Sequence, residues 1–202
     1  MTITKNDWKA NPQRPAYDEA REKIIEAAIR IISERGWKKL RFDLIAKEVG
    51  CARPTLYRYF SSKEELLSAV LIHLMYQLSS EIHETIAENH NPKDALVEAT
   101  YLGASYLRNE YRFNMVLDPS NIKYLTQAAI SSIPAEMTPM MSNYMIGENG
   151  ESLLREGVTI DEASKWLILQ IISLAQFGPI GKTPEEEKGF IRKMLIPALY
   201  LK

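Results

Sequence analysis

The chain has 202 residues, 46% hydrophobic and 25% charged, enough for one large or two modest domains; no run of about 18 apolar residues crosses a membrane. No apolar h-region follows Met1 and Cys51 stands alone, which argues against a secretory leader or an internal disulfide and for a cytoplasmic protein. The net charge of −1 is unevenly spread: residues 1–63 carry 14 Lys+Arg against 8 Asp+Glu, residues 64–202 carry 11 against 18, so a basic head sits on an acidic body.

In chain order, residues 1–16, with Pro12, Pro15, Lys5, Lys9 and Arg14, read as a flexible basic arm. Ile25, Ala28, Ile29 and Ile32 follow helical spacing and predict a helix over 18–35 that stops at Gly36. Two short helices follow, 42–49 and 53–59, with Gly50 between them. Ser62 and Glu65 form an S-x-x-E start, after which Leu67, Val70, Leu71, Leu74, Leu78, Ile82 and Ile86 predict a long helix over 63–89. Asn91-Pro92 opens 92–109, Asp118-Pro119 opens 119–131 and Thr138-Pro139 opens 138–155, the last with Gly147 and Gly150 as points of interruption. Thr159 with Glu162 and Thr183 with Glu186 open 160–177 and 184–200. With about nine helices and no alternating strand pattern, the fold class is all-α.

Leu44-Ile45-Ala46-Lys47-Glu48-Val49, a glycine turn, and Arg53-Pro54-Thr55-Leu56-Tyr57-Arg58-Tyr59-Phe60 make a helix-turn-helix. Ala46 is small enough for close approach of the two helices, and Ile45, Val49, Leu56 and Phe60 can pack on Ile25, Ala28 and Ile32. The outward groups Arg53, Thr55, Tyr57, Arg58 and Tyr59 are hydrogen-bonding, cationic or aromatic, which suits a helix entering the major groove. Arg53 can pair with a guanine and the Thr55 methyl can touch a thymine methyl. Lys63, at a helix start, has its ammonium beside free backbone N–H groups that bind phosphate.

The string Ile24-Ile25-Glu26-Ala27-Ala28, Arg35-Gly36-Trp37, Ile45-Ala46, Gly50-Cys51 and Thr55-Leu56-Tyr57-Arg58-Tyr59-Phe60-Ser61-Ser62-Lys63-Glu64-Glu65-Leu66-Leu67 resembles the TetR family signature over about 45 residues. The resemblance implies a three-helix DNA-binding domain over 17–62 and a helical bundle over 63–202 for ligand binding and dimerisation. It implies base reading by Arg53, Pro54 and Thr55, and backbone contacts by Tyr57, Tyr59 and Lys63, to which charge adds Arg41 and Arg58. Two positions depart from the family: Arg41 stands where Thr or Ser caps the second helix, and Ala52 replaces a Ser cap. Each missing cap costs about 0.5–2 kcal/mol.

The body carries no motif of that strength. Trp166 to Leu174 is apolar nearly all round and demands burial, and Ile191, Met194, Leu195 and Ala198 share a face of the last helix. The resemblance implies a homodimer through these two helices, with Leu167, Ile171, Leu174, Ile191, Met194, Leu195 and Ala198 as the interface. Five of eight methionines lie in 115–145, and methionine adapts to irregular apolar shapes. Met115, Met137, Met140, Met141, Tyr144 and Met145, with Tyr101, Tyr106, Trp166, Gln170 and Phe177, are therefore the candidate pocket for a small, largely apolar effector.

His73, His83 and His90 form no metal-ligand pattern, and no nucleophile, Walker or dinucleotide motif occurs, so neither enzyme, metal nor cofactor is expected. The expected function is a transcriptional regulator on double-stranded DNA, a repressor released from a palindromic operator by its effector. A ligand-responsive activator, or a helical sensor or scaffold without DNA release, is the alternative.

Overall fold

The computed structural model describes residues 14–89, 91–110, 113, 117–118, 138, 141–147 and 149–200. Among them are seven α-helices: α1 (Arg14–Arg35), α2 (Phe42–Val49), α3 (Arg53–Leu56), α4 (Lys63–Ile86), α5 (Pro92–Asn109), α6 (Ile160–Phe177) and α7 (Pro184–Leu199), with a 3-10 turn at Trp37–Lys39. The chain divides into two compact units, Met1–Val70 and Leu71–Lys202. That division falls inside α4, not at its start, because Leu66, Leu67, Ala69 and Val70 are buried in its first two turns.

In the first unit, Ile24, Ile25, Ala27, Ala28, Ile31 and Ile32 are buried along α1 and meet Leu40, Phe42, Ile45, Ala46, Leu56 and Phe60. Helical spacing puts those α1 residues on one face, so one stripe supplies half of a small core. The helix begins at Arg14, so residues 14–16 of the expected arm are helical; the rest of that arm lies outside the described residues. Gly36 (φ +79) and Gly50 (φ +76) end α1 and α2 in a backbone region that side chains disfavour. The third helix is shorter than its expected span of 53–59. After Leu56 the bonds tighten, with Arg58 N–H donating to Thr55 C=O at 3.2 Å and Tyr59 N–H to Leu56 C=O at 3.0 Å.

In the second unit, α5 packs against both α6 and α7. Ala95, Gly103 and Ala104 keep its packed face low, and a Cβ on Gly103 would stand 3.1 Å from Ile171 Cγ2. The helix starts match their signals. Asn91 Oδ1 accepts from the N–H of Lys93 and Asp94, and Thr159 makes a full capping box with Glu162. Ser62 and Thr183 accept from the N–H three residues on, while Glu65 and Glu186 reach back one residue further than a capping box, to Ser61 and Lys182.

The expected helix over 138–155 does not form as one element. Past Ser142 the chain turns, Ile146 pairs with Ser152 as an antiparallel bridge, and Leu154 pairs with Tyr200. Gly150 at φ +81 sits in the turn between the first two partners, a conformation incompatible with a continued helix. The expected helix 119–131 lies outside the described residues.

A buried ion pair joins α5 to α7. Arg108 donates to both carboxylate oxygens of Glu187 at 2.9 Å and also to the Leu174 carbonyl at 3.0 Å. Glu187 is only 2% exposed. The bidentate geometry and the helix-end carbonyl satisfy charges that would be costly to bury alone.

Candidate DNA-reading face and ligand cavity

The recognition helix starts without a side-chain cap at Ala52, as α2 does at Arg41. Both missing caps read from the sequence are therefore present in the structure, and Pro54 at the first turn supplies part of the missing restraint. Arg53 and Pro54 are exposed and Thr55 is half-buried.

Arg53 does not float free. Its Nη2 donates to the Tyr57 hydroxyl at 3.0 Å, and its Nη1 lies 3.7 Å from an Asp43 oxygen. Tyr57 in turn rests on Phe42, with ring centroids 4.7 Å apart. The buried Phe42 ring thus supports Tyr57, and the Tyr57 hydroxyl holds the Arg53 guanidinium. Arg41 pairs with the same Asp43 carboxylate. These hydrogen bonds hold the Asp43 carboxyl below its usual range, chiefly through Arg41.

The other expected phosphate contacts sit on aromatic supports. Tyr59 is half-buried and stacks on Tyr17 with centroids 4.6 Å apart. The Lys63 ammonium lies 5.5 Å from the centre of the Trp37 ring, which Lys38 also approaches at 5.8 Å. A cation over an indole face is attracted to it yet keeps its outer side available to a phosphate. Arg58 is exposed. Sequence reasoning found the cations but missed Asp43, Tyr17 and Trp37 as their supports. The one available signal was Asp43 two residues after Arg41 at a helix start.

In the body, a small apolar cavity of about 50 Å³ is lined by residues of α4, α5 and α6 with Met141 and Tyr144. From α4 come Met75, Leu78, Ser79, Ile82 and His83; from α5, Leu96, Ala99, Thr100 and Gly103; from α6, Ile171. Its polar feature is a pair: His83 Nδ1 and the Tyr144 hydroxyl are 2.7 Å apart. Burial pushes the Tyr144 phenol above its usual range, so it stays a neutral hydroxyl. Thr100 donates to the Leu96 carbonyl, which turns its hydroxyl back onto α5 and leaves the wall apolar.

Of the expected pocket residues, Met141 and Tyr144 line the cavity, and Met145 is fully buried. Tyr101 instead lies under the Lys188 ammonium, and Trp166 lines a separate groove beside Ala198 and Leu199. Tyr106 and Gln170 are half-buried away from the cavity wall. Phe177 is 82% exposed at the end of α6 and cannot line an enclosed site. Met115, Met137 and Met140 lie outside the described residues. Ser79 and His83, polar residues on the otherwise apolar stripe of α4, were the overlooked signal.

The expected dimer face also needs correction. Leu167, Ile191 and Leu195 are at most 3% exposed within the single chain, so they are core, and Ile171 faces the cavity. Leu174 and Ala198 are half-buried, and Met194 alone of the seven is well exposed, at 56%. The outward apolar groups on these helices are Leu169, Phe177 and Met194, with Ile180 just beyond α6. The correction follows from the apolar run on α6: with nearly every position hydrophobic, periodicity does not tell the inner face from the outer.

Residues 24–70 match the family model for bacterial regulatory proteins of the tetR family. The fatty acid metabolism regulator protein of Bacillus subtilis is 26% identical over 173 residues, covering 85% of this chain and 82% of that protein. The solved structure of RolR in complex with resorcinol superposes with a TM-score of 0.62 at 12% identity, covering 92% of this chain and 90% of the other. FadR from Bacillus subtilis in complex with stearoyl-CoA gives a TM-score of 0.53 at 21% identity, covering 89% and 99%. At these identities the superpositions speak for the fold. Among the described residues no helix is long and apolar enough to cross a membrane.

Proposed function

Because the chain belongs to the TetR family of transcriptional regulators and carries its helix-turn-helix DNA-binding head, we propose that it is a homodimeric repressor released from DNA by a small, largely apolar effector. The observation that carries this reading is the double duty of α4. Its first turn holds Lys63, a phosphate anchor, and its later turns supply five residues of the cavity wall. A ligand that displaces those residues would act on the same helix that begins at Lys63.

The cavity favours an effector with an apolar body and one hydrogen-bonding end, the latter against His83 and Tyr144. The stearoyl-CoA bound by FadR and the resorcinol bound by RolR each carry an apolar portion beside polar groups, and they are the natural first probes, with stearate as a third. Operator geometry supports the dimer: two recognition helices about 34–36 Å apart reach successive major grooves of a palindrome. The exposed Leu169, Phe177 and Met194 are the surface proposed to meet the second copy. Ligand-driven release requires the effector to prefer the released state by several kcal/mol.

The test is direct. A duplex enriched from random-sequence DNA by the purified chain is titrated with protein in the presence and absence of each probe. A probe that raises the unfolding temperature should weaken binding at least tenfold; a probe that tightens it marks an activator. Sedimentation of Phe177→Arg and Met194→Arg together should show monomer where the parent shows dimer, and an unchanged dimer removes the proposed interface.

A further inference from the structure

Asp43 is a negative charge placed among the groups that are to face DNA. Phosphates repel it, so its presence there asks for a reason. Within the first turn of α2 its carboxylate engages Arg41, while 3.7 Å away stands Arg53, whose other nitrogen is committed to the Tyr57 hydroxyl. One carboxylate thus sits against two of the head's exposed cations. We propose that Asp43 is a specificity-determining positioning residue, an internal counter-charge that restrains Arg41 and Arg53 and suppresses binding to random DNA more than binding to the target.

This role rests on the proposed DNA reading and acts through counterions. Affinity for random DNA comes almost entirely from cations neutralising phosphates, and each such contact releases condensed counterions. Arg41 and Arg53 reach a phosphate freely only by leaving Asp43, and the unpaired carboxylate is then left near the polyanion. On random DNA neither loss is compensated. On a target, Arg53 enters the groove and pairs with a base edge, a bidentate contact that random sequence seldom offers. Its approach direction stays set by Tyr57 and Asp43. The carboxylate therefore penalises the wrong site in full and the right site in part, which is discrimination obtained by a repulsive element.

The side chains involved are exposed, 70% for Arg41, 57% for Arg53 and 43% for Asp43, so replacing the carboxylate removes no core packing. The experiment measures wild type, Asp43→Asn, Asp43→Ser and Asp43→Glu by fluorescence anisotropy. Each is titrated against the duplex enriched by wild type and against a scrambled duplex of equal length, over a range of salt. Both neutral variants should bind the scrambled duplex about five- to tenfold tighter at 0.1 M salt, with a salt slope steeper by about one. Affinity for the enriched duplex should rise less than twofold, so the preference for target falls; Asp43→Glu should keep most of it. Thermal unfolding of each variant establishes that the head is folded, and the second neutral variant stands in if the first is not. Unchanged or increased preference in a folded neutral variant overturns the proposal. Failure of wild type to enrich or bind any duplex overturns the DNA reading itself, a different result.

Discussion

In the head, Arg41 and Arg53 stand at the surface, steered by a shared carboxylate and a phenol; in the body, Arg108 and Glu187 are buried and locked by two parallel hydrogen bonds. The first arrangement leaves charge available to an outside partner while limiting where it points. The second uses its charge internally, and the proposed ligand site of the body is the apolar cavity. Polar groups thus mark the binding face of one unit and the structural lock of the other. The two units differ in whether their paired charges stay exposed or are buried.

The comparison breaks hardest at the cores. Phe60→Ala empties a fully buried site in the smaller core and should destabilise the head by about 3–5 kcal/mol, abolishing DNA binding. Arg108→Ala strands the buried Glu187 carboxylate and should destabilise the body by a similar 3–5 kcal/mol. Denaturant unfolding followed by circular dichroism measures both. A loss under 1 kcal/mol for Arg108→Ala would show that the pair is not a lock. Next in size, Arg53→Ala should reduce base discrimination about five- to a hundredfold, whereas Lys63→Ala should weaken all sequences alike and lower the salt slope by about one. Equal loss on every sequence from Arg53→Ala would contradict its base-reading role.

Smaller effects sharpen the contrast. Ala52→Ser restores the missing cap on α3 and should stabilise the head by about 1 kcal/mol, seen as a raised denaturant midpoint. Acid separates nothing but tests the caps in both units. Hydrogen bonds to Ser61 and Thr159 hold the carboxyls of Glu65 and Glu162 below the ordinary value of 4.5. The unfolded chain then binds protons that the folded chain does not, so this stabilisation is present above about pH 4.5 and is lost as pH falls through the lower folded values. A melting temperature flat from pH 6 to pH 3 would contradict it.

The head was legible because its determinants are local. Cap residues, Gly36, Gly50 and the run from Arg53 to Phe60 act within a few positions of one another, and α2 and α3 start and turn where the sequence puts them, although α3 ends early at Leu56. Asp43, Tyr17 and Trp37 escaped because their partners are set by packing angles between helices. In the body, spacing named the helix starts at Asn91, Thr159 and Thr183 correctly. It could not say that Leu167 faces inward and Leu169 outward on a helix apolar all round, nor that 138–155 turns back on itself at Gly150. Methionine content pointed to Met141 beside the cavity, while the polar Ser79 and His83 on the apolar stripe of α4 were the signal that went unread.

The coupling of cavity to DNA is tested most directly by one anisotropy titration. The enriched duplex is bound by protein saturated with whichever of stearoyl-CoA, stearate or resorcinol raises its unfolding temperature, in parallel with protein alone. Release through α4 predicts at least a tenfold loss of affinity. A ligand that stabilises the body yet leaves DNA affinity unchanged would contradict the account.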